Sequence, residues 1–365
     1  MKKTLIALAV MSAAAGVAHA QSNVTIYGVV DTGLVKETGS DVRMGGNVDS
    51  RIGFRGVEDL GSGMKATFEL ERRFNLNDGT QSNTITVKDP LDFDVDTIDR
   101  SNWNYNDFAN GRKSDWVGAS NVGLKGDAWG QVRLGRVNNL SVETFRMLDP
   151  FNQYGVGASL AKFDILRSEQ ISNTVRYDSP VWSGFGFGAT YTLGHDTKGT
   201  ANALYDQLGN DGFAVNLKYD NGPLLLLANY DRAADSNDSY TWNLGGAYSY
   251  AGFKVSLGYQ DSRFKLLENT IGNVKEKDWI VGLQYKTGPH TIGASYNRGK
   301  VEVAGIDGKA NKYALGYTYG LSKRTSVYAN VAYTDSDEEI AGWYNTSGAE
   351  RDSVTGVQVG ITHKF

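Results

Sequence analysis

The chain lacks cysteine altogether, and only 5 of its 365 residues are proline. Without cysteine there is no disulfide framework, no cysteine-ligated zinc site and no thiol nucleophile. An excess of basic residues is also missing: the formal net charge is −4, which argues against a nucleic-acid partner. The aromatic share of 11% is too high for a disordered chain. These features indicate a folded protein whose activity depends neither on thiols nor on nucleic acid.

The first twenty residues have the pattern of a secretory signal peptide. Lys2 and Lys3 form a short basic start, residues 4–17 are mainly apolar, and Ala18, His19 and Ala20 form an A-x-A cleavage site. An uncleaved membrane anchor is disfavoured, because the apolar run is short and ends in small residues. We therefore expect residues 1–20 to be removed during export and residues 21–365 to form the mature domain.

Later in the chain no stretch approaches the ~18 apolar residues that a membrane helix needs. Alternation recurs instead: Phe253, Val255, Leu257 and Tyr259 are separated by polar or small residues. This period of two predicts strands with one apolar and one polar face. Sixteen such runs begin near Val24, Ser50, Met64, Trp116, Gly130, Ile171, Phe185, Phe213, Pro223, Tyr240, Phe253, Asp278, His290, Lys312, Thr325 and Val354.

The connections between these runs alternate between short turns and long polar loops. The long ones include residues 75–115, 137–170 and 298–311. Short turns on one side, long loops on the other, and aromatic residues near strand ends are typical of bacterial outer-membrane barrels. Closure with an even number of strands leaves no unpaired edge in hydrocarbon. The pattern predicts an all-β fold, a 16-stranded antiparallel transmembrane β-barrel whose lumen holds water.

Several segments resemble the general porins of Gram-negative bacteria, specifically the beta-proteobacterial and neisserial type. They are S22-N-V-T-I-Y-G-V-V-D31, S50-R-I-G-F-R-G-V-E-D-L-G61, G130-Q-V-R-L-G-R136, Y177-D-S-P180, L321-S-K-R-T325 and G356-V-Q-V-G-I-T-H-K-F365, in order along the chain. The resemblance implies an outer-membrane general diffusion porin: a passive channel for ions and small hydrophilic solutes. It also implies a homotrimer among outer-membrane lipid and lipopolysaccharide, a third extracellular loop folded inward, and Phe365 as the assembly signal.

Strand parity assigns the candidate pore residues. Apolar neighbours such as Ile52 and Phe54 take the lipid side, so the lumen receives Arg51, Arg55, Arg73, Arg133 and Arg176. The third long loop carries four acids, Glu143, Asp149, Asp164 and Glu169. An acidic loop facing an arginine wall would set up a transverse field at the constriction, and rings of charge set ion selectivity. We expect a modest anion preference at best.

Two other classes of function fit a β-rich exported chain: an outer-membrane barrel enzyme, such as a phospholipase, and a soluble all-β adhesin. The first needs a Ser–His pair on neighbouring strands, and none can be assembled from the sequence. The second leaves the inward arginines and Phe365 without a role. The three histidines after the signal segment, His195, His290 and His363, have no metal-ligand spacing, so no metal or cofactor is expected.

Overall fold

Sixteen long strands close into one antiparallel barrel. The computed structural model describes residues 23–80, 115–164, 166, 168–194, 211–234, 239–265, 273–303, 305–344 and 351–365. The predicted signal peptide and most of the second long loop lie outside these ranges. The strands are β1 (Asn23–Glu37), β2 (Arg43–Met44), β3 (Ser50–Gly61), β4 (Met64–Phe74), β5 (Ser120–Gly126), β6 (Gly130–Asn138), β7 (Gln170–Asp178), β8 (Phe185–Thr192), β9 (Gly212–Asn221), β10 (Leu224–Arg232), β11 (Tyr240–Tyr250), β12 (Phe253–Phe264), β13 (Val274–Thr287), β14 (His290–Val303), β15 (Ile306–Gly320), β16 (Thr325–Ser336) and β17 (Ser353–Lys364).

The barrel closes between β1 and β17. The first half of β1 pairs with β3, and its second half pairs with β17 in a register that runs from Val29 opposite Lys364 to Glu37 opposite Gly356. The two-residue strand β2 lies in the first long loop and pairs with Leu34 and Val35. All sixteen long strands therefore have two hydrogen-bonded neighbours in the described chain, as a bilayer requires.

The two faces of each strand separate as the alternation predicts. In β17, Val357, Val359 and Ile361 on the outer face are 44–45% exposed, whereas Gln358 on the inner face is 1% exposed. Within the described residues, none of the helices has the length and apolar character to cross a membrane.

The seventh long loop differs from the prediction. Residues 298–311 were expected to form a loop, but β14 continues to Val303 and β15 begins at Ile306. The polarity of the hairpin is inverted here: Val301 and Val303 point inward and pack with Ile340, while charged residues face outward. The alternation is still present, but the polar outer face makes this segment resemble a loop in sequence.

Candidate functional site

The connection between β6 and β7 folds into the barrel, as expected for the third long loop. We call residues 139–169 the inner loop; residues 165 and 167 are outside the described set. It begins with a short helix, α1 (Leu140–Arg146), whose N-cap is Asn139. The Asn139 carboxamide oxygen accepts hydrogen bonds from the backbone N–H groups of Ser141 and Val142, which satisfies two of the helix's free donors. A 3₁₀ turn (Leu160–Phe163) follows on the return path.

The inner loop packs against the inner wall formed by β8–β17. Phe145 and Leu148 are 1% exposed and form an apolar cluster with Leu225, Leu227 and Ile280. Inward-facing glycines make room for the loop. A Cβ at Gly258 would lie 2.8 Å from Leu148 Cδ1, and one at Gly282 would lie 2.7 Å from Pro150 Cδ. The loop therefore sits closer to the wall than any larger residue at these positions would permit.

Polar contacts hold the same loop in place. The Lys254 ammonium donates to the Met147 carbonyl oxygen at 2.8 Å, and the Asn243 amide donates to Ser141 Oγ at 2.9 Å. At the tip of the loop, the backbone N–H of Val156 donates to Gln358 Oε1 at 3.2 Å. With the contacts of α1 to β8 and β9, the loop is thus attached along the wall from β8 to β17, and β3–β7 form the opposite wall.

An ion-pair chain links the inner loop to that opposite wall. Arg73 on β4 donates to Glu169 at 2.7 Å, and Glu169 accepts from Arg146 of α1, also at 2.7 Å. Arg73 also pairs with Glu71 and Asp49 at 3.1 Å each. Its side chain is 6% exposed, so its positive charge is buried among three carboxylates.

A second group lies on β6 and β7. Arg176 pairs with Glu143 of the inner loop and with Asp178, at 2.8 Å each. Arg133 pairs with the other oxygen of Asp178 at 2.6 Å. Arg133 and Arg176 are directly opposite in the strand register, so a single carboxylate lies between two guanidinium groups. The Arg133 side chain keeps 18% exposure, while that of Arg176 keeps 7%.

Arg51 and Arg55 on β3 are less neutralised than these arginines. Arg51 approaches Glu71 only to 3.8 Å and keeps 18% side-chain exposure. Arg55 is exposed, and its guanidinium carbon lies 5.2 Å from the centre of the Tyr27 ring. Tyr27 in turn donates to Glu69 at 2.8 Å. These two arginines therefore present positive charge toward water on the wall across from the inner loop.

The four acids predicted for the loop take two kinds of position. Glu143 and Glu169 reach the arginines, as described. Asp149 is 3% exposed and accepts from the backbone N–H groups of Phe151, Gln153 and Ser159. Burial raises the pKa of the Asp149 carboxyl, against the opposing effect of these donors. Asp164 is 1% exposed and accepts from Gln260 at 2.6 Å and from Ser262, both on β12.

Two functional residues were not predicted from the sequence. Arg146 lies on the acidic loop and was passed over, although it stands three residues after Glu143, a spacing that puts both on one helix side. Its guanidinium also stacks on Tyr154 at 4.8 Å. Asp178 faces inward next to Arg133 and Arg176, and strand parity alone could have found it. Strand parity also places Glu71 inward, and it pairs there with Arg73. Across the described chain, no three or more histidine, aspartate or glutamate side chains are grouped so that they could hold a metal ion.

Phe365 lies beside β1. Its backbone N–H and carbonyl exchange two hydrogen bonds with Gly28, each 3.1 Å long. Its ring covers Gly28, where an added Cβ would come within 2.4 Å of Phe365 Cζ. The last residue is thus fixed to the first strand by backbone and ring together.

Comparison with known proteins agrees with this architecture. A family model described as Gram-negative porin matches residues 7–339. Outer membrane porin protein 32 of Delftia acidovorans is 32% identical, with full coverage of both chains. The solved structure of an anion-selective porin from Comamonas acidovorans has a TM-score of 0.74 at 27% identity, covering 94% of this chain and 100% of that one. OmpT of Vibrio cholerae in its trimer form shares the fold at a TM-score of 0.63 and 16% identity, covering 94% of this chain and 99% of that one. With its closed barrel and charged lumen, the chain belongs to the Gram-negative porin family: it is an outer-membrane diffusion channel and not an enzyme.

Proposed function

We propose that this porin passes ions and small hydrophilic solutes with a modest preference for anions. The observation that carries the anion preference is the incomplete neutralisation of Arg51, Arg55 and Arg133 on the wall opposite the inner loop. Each keeps contact with water, whereas Arg73 and Arg176 are surrounded by carboxylates. Rings of charged side chains at a constriction set the sign of ion selectivity.

The positions of the acidic residues also favour anion selectivity. Glu169 is shared by Arg73 and Arg146, and Asp178 is shared by Arg133 and Arg176, so each of these carboxylates serves two cations. Asp149 and Asp164 are buried within the loop and its docking contacts, where their charge acts less on the solute path. The similar porin from Comamonas acidovorans is described as anion-selective, which agrees with this proposal. We therefore assign the constriction to Arg51, Arg55, Arg133, Arg146 and the surface of the inner loop.

Reversal potentials across a planar bilayer in a KCl gradient test the selectivity. Arg51→Gln and Arg133→Gln should each shift the reversal potential toward cation preference. Arg298→Gln, which removes an exposed charge from the outer face, should leave it unchanged. A cation preference of the unmodified channel would reject the proposed selectivity, although the channel itself would remain.

We further propose that the porin is a homotrimer. Strands β7–β16 carry outward aromatics such as Tyr177, Trp242, Trp279 and Tyr333. Strands β1, β3–β6 and β17 contain no tryptophan, and their one tyrosine, Tyr27, bonds inward to Glu69. Aromatic belts mark surfaces in contact with lipid headgroups. A belt that thins on one side, where the exposed tryptophans are Trp116 and Trp129 at the ends of β5, agrees with protein contact there. The OmpT barrel is known in a trimer form.

Single-channel recording tests the trimer, because three pores in one particle should close in thirds of the full conductance.

We also propose that residues 1–20 are cleaved during export, that residues 21–365 form the barrel domain, and that Phe365 acts as its assembly signal. N-terminal sequencing of the protein from outer membranes should then begin at Gln21. A mature chain that starts at Met1 would contradict the cleavage.

A further inference from the structure

The last long connection of the barrel, between β16 and β17, also turns into the lumen. It contains a second 3₁₀ turn (Glu338–Ile340). We call residues 337–344 the entrance segment. Ile340 and Tyr344 of this segment are buried, and they pack in an apolar cluster with the wall residues Phe264, Val274, Val301, Val303 and Ala310. The segment is therefore held inside the barrel by side chains that are removed from water.

The wall leaves space for these two side chains, because inward-facing glycines lie behind them. A Cβ at Gly308 on β15 would lie 2.6 Å from Ile340 Cγ1, and one at Gly299 on β14 would lie 2.7 Å from Tyr344 Oη. A larger residue at either position would push the segment away from the wall. The entrance segment thus fits the wall in the same manner as the inner loop does.

Hydrogen bonds attach both ends of the entrance segment. At its start, the Asp337 backbone N–H donates to the Lys309 carbonyl oxygen at 2.9 Å, and the Lys309 backbone N–H donates to the Asp337 carboxylate at 2.8 Å. At its other end, Trp343 Nε1–H donates to Glu276 at 3.0 Å. The segment is thereby fixed to β15 at one end and to β13 at the other.

The entrance segment also rests on the inner loop. The rings of Tyr344 and Phe163 meet edge to face with their centres 6.2 Å apart, and Leu160 is buried in the same apolar cluster. Both partners belong to the return path of the inner loop. The wall residues of the cluster lie near the long-loop ends of their strands, since Phe264 ends β12 and Val274 begins β13. The segment therefore covers the inner loop from the long-loop side.

The position of Tyr344 has a cost. Its hydroxyl and both carboxylate oxygens of Asp278 have no hydrogen-bond partner among the residues that the structure describes. Buried polar groups without partners are unfavourable. The packing of the Tyr344 ring must offset this cost, so the ring and not the hydroxyl holds the segment in place.

We propose that Ile340 and Tyr344 are positioning residues that set the size limit of the channel. They hold the entrance segment over the half of the lumen that lies along β12–β15, and the segment in turn holds the return path of the inner loop. The proposal rests on the diffusion of small hydrophilic solutes stated above. Because the width of a pore limits what can pass, release of the segment should admit larger solutes.

The test measures the swelling of liposomes that contain the folded porin, in sugars from a pentose to a tetrasaccharide. Ile340→Ser/Tyr344→Ser removes both apolar anchors, and it should raise the rate for the tetrasaccharide relative to the pentose. A loss of folded channels would lower both rates together and leave their ratio unchanged. The reversal potential should also stay unchanged, because the variant alters no charge.

Two matched controls lie in the same segment. Glu338→Ser/Glu339→Ser changes two exposed residues outside the apolar cluster, so it should keep the sugar ratio of the unmodified channel. Tyr344→Phe keeps the ring and removes only the unpaired hydroxyl, so it should keep the ratio as well. A ratio that rises equally in the controls would contradict the assignment to Ile340 and Tyr344.

A reversible lock makes the test independent of folding. The chain contains no cysteine, so Gly308→Cys/Ile340→Cys/Tyr344→Ser carries a unique thiol pair at positions that touch. Disulfides join Cβ atoms about 3.8 Å apart. The oxidised form should show the unmodified sugar ratio, and reduction of the same molecules should raise it.

The outcomes separate this proposal from the diffusion function. Failure of the disulfide to form, or equal ratios in the oxidised and reduced forms, would overturn the role of the entrance segment, while pentose uptake would still support diffusion. If the unmodified protein passes no sugar of any size, the diffusion of solutes is wrong and the size limit with it.

Discussion

Glu169 lies 2.7 Å from Arg73 of the barrel wall and, through its other oxygen, 2.7 Å from Arg146 of the inner loop. One carboxylate thus ties the end of the loop to both sides of the constriction. Its side chain is 9% exposed and that of Arg73 is 6% exposed, so the pair is largely shielded from water. The position of the loop and the charge of the pore therefore depend on the same group.

Glu169→Gln should destabilise the barrel and strengthen its anion preference. Removing one partner of a buried ion pair costs about 3 kcal/mol, because the remaining charge is left without compensation. The temperature at which the folded barrel unfolds, followed on gels, measures the change in stability. The reversal potential in a salt gradient measures the change in selectivity. Glu302→Gln is the control, since exposed pairs on the outer surface contribute less than about 1 kcal/mol. Equal unfolding temperatures for the two variants would contradict the assigned role of Glu169.

Gly258→Val should reduce single-channel conductance. The new side chain would meet Leu148, Ile280 and Phe145, and the inner loop would have to move away from the wall into the lumen. Overpacking of this kind also costs about 1–3 kcal/mol. Gly186→Val is the matched control, because the nearest atom to a Cβ there is 3.7 Å away. If both variants conduct like the unmodified channel, the position of the inner loop does not depend on the absence of a side chain at Gly258.

Asp178→Asn should shift selectivity further toward anions. The substitution removes the negative charge shared by Arg133 and Arg176, while the amide can still accept one hydrogen bond. This effect is opposite in sign to that of Arg51→Gln, so the two variants bracket the unmodified reversal potential. A shift of both variants in the same direction would show that charge at these positions does not set the selectivity.

Phe365→Ala should lower the yield of folded barrel. The ring fills the space over Gly28, and Gly28→Val should have a similar effect because its side chain would collide with that ring. Phe365→Tyr keeps an aromatic ring and serves as the conservative control. The measurement is the fraction of heat-modifiable protein in isolated outer membranes. A normal yield of folded barrel for Phe365→Ala would contradict the proposed assembly role of Phe365.

Most of the barrel could be predicted from the sequence because each strand repeats the same physical pattern. Alternation gave the sixteen strands and their outward faces, as Val357, Val359 and Ile361 show. The pattern failed at residues 298–311, where outward residues are charged and inward ones are apolar. The alternatives of a barrel enzyme and a soluble adhesin are wrong, since the chain belongs to the porin family.

The candidate site was less predictable, because parity fixes a residue's face but not its partners. Arg51 and Arg73 occupy equivalent inward positions, yet one retains water contact and the other is enclosed by Asp49, Glu71 and Glu169. The difference arises from loops that are distant in sequence. Likewise, no local signal distinguishes Glu143, which reaches an arginine, from Asp149, which caps backbone N–H groups inside the loop.

The pairing of β1 with β17 has a consequence for how the molecule is made. Along one side, residues 29–37 pair with residues 356–364, near the far end of the chain. Until β1 and β17 pair, the two edge strands of the nascent sheet expose unpaired backbone groups to hydrocarbon or to other chains. Insertion into the membrane must therefore shield both edges at the same time. A chain that loses its final strand does not become a smaller functional pore.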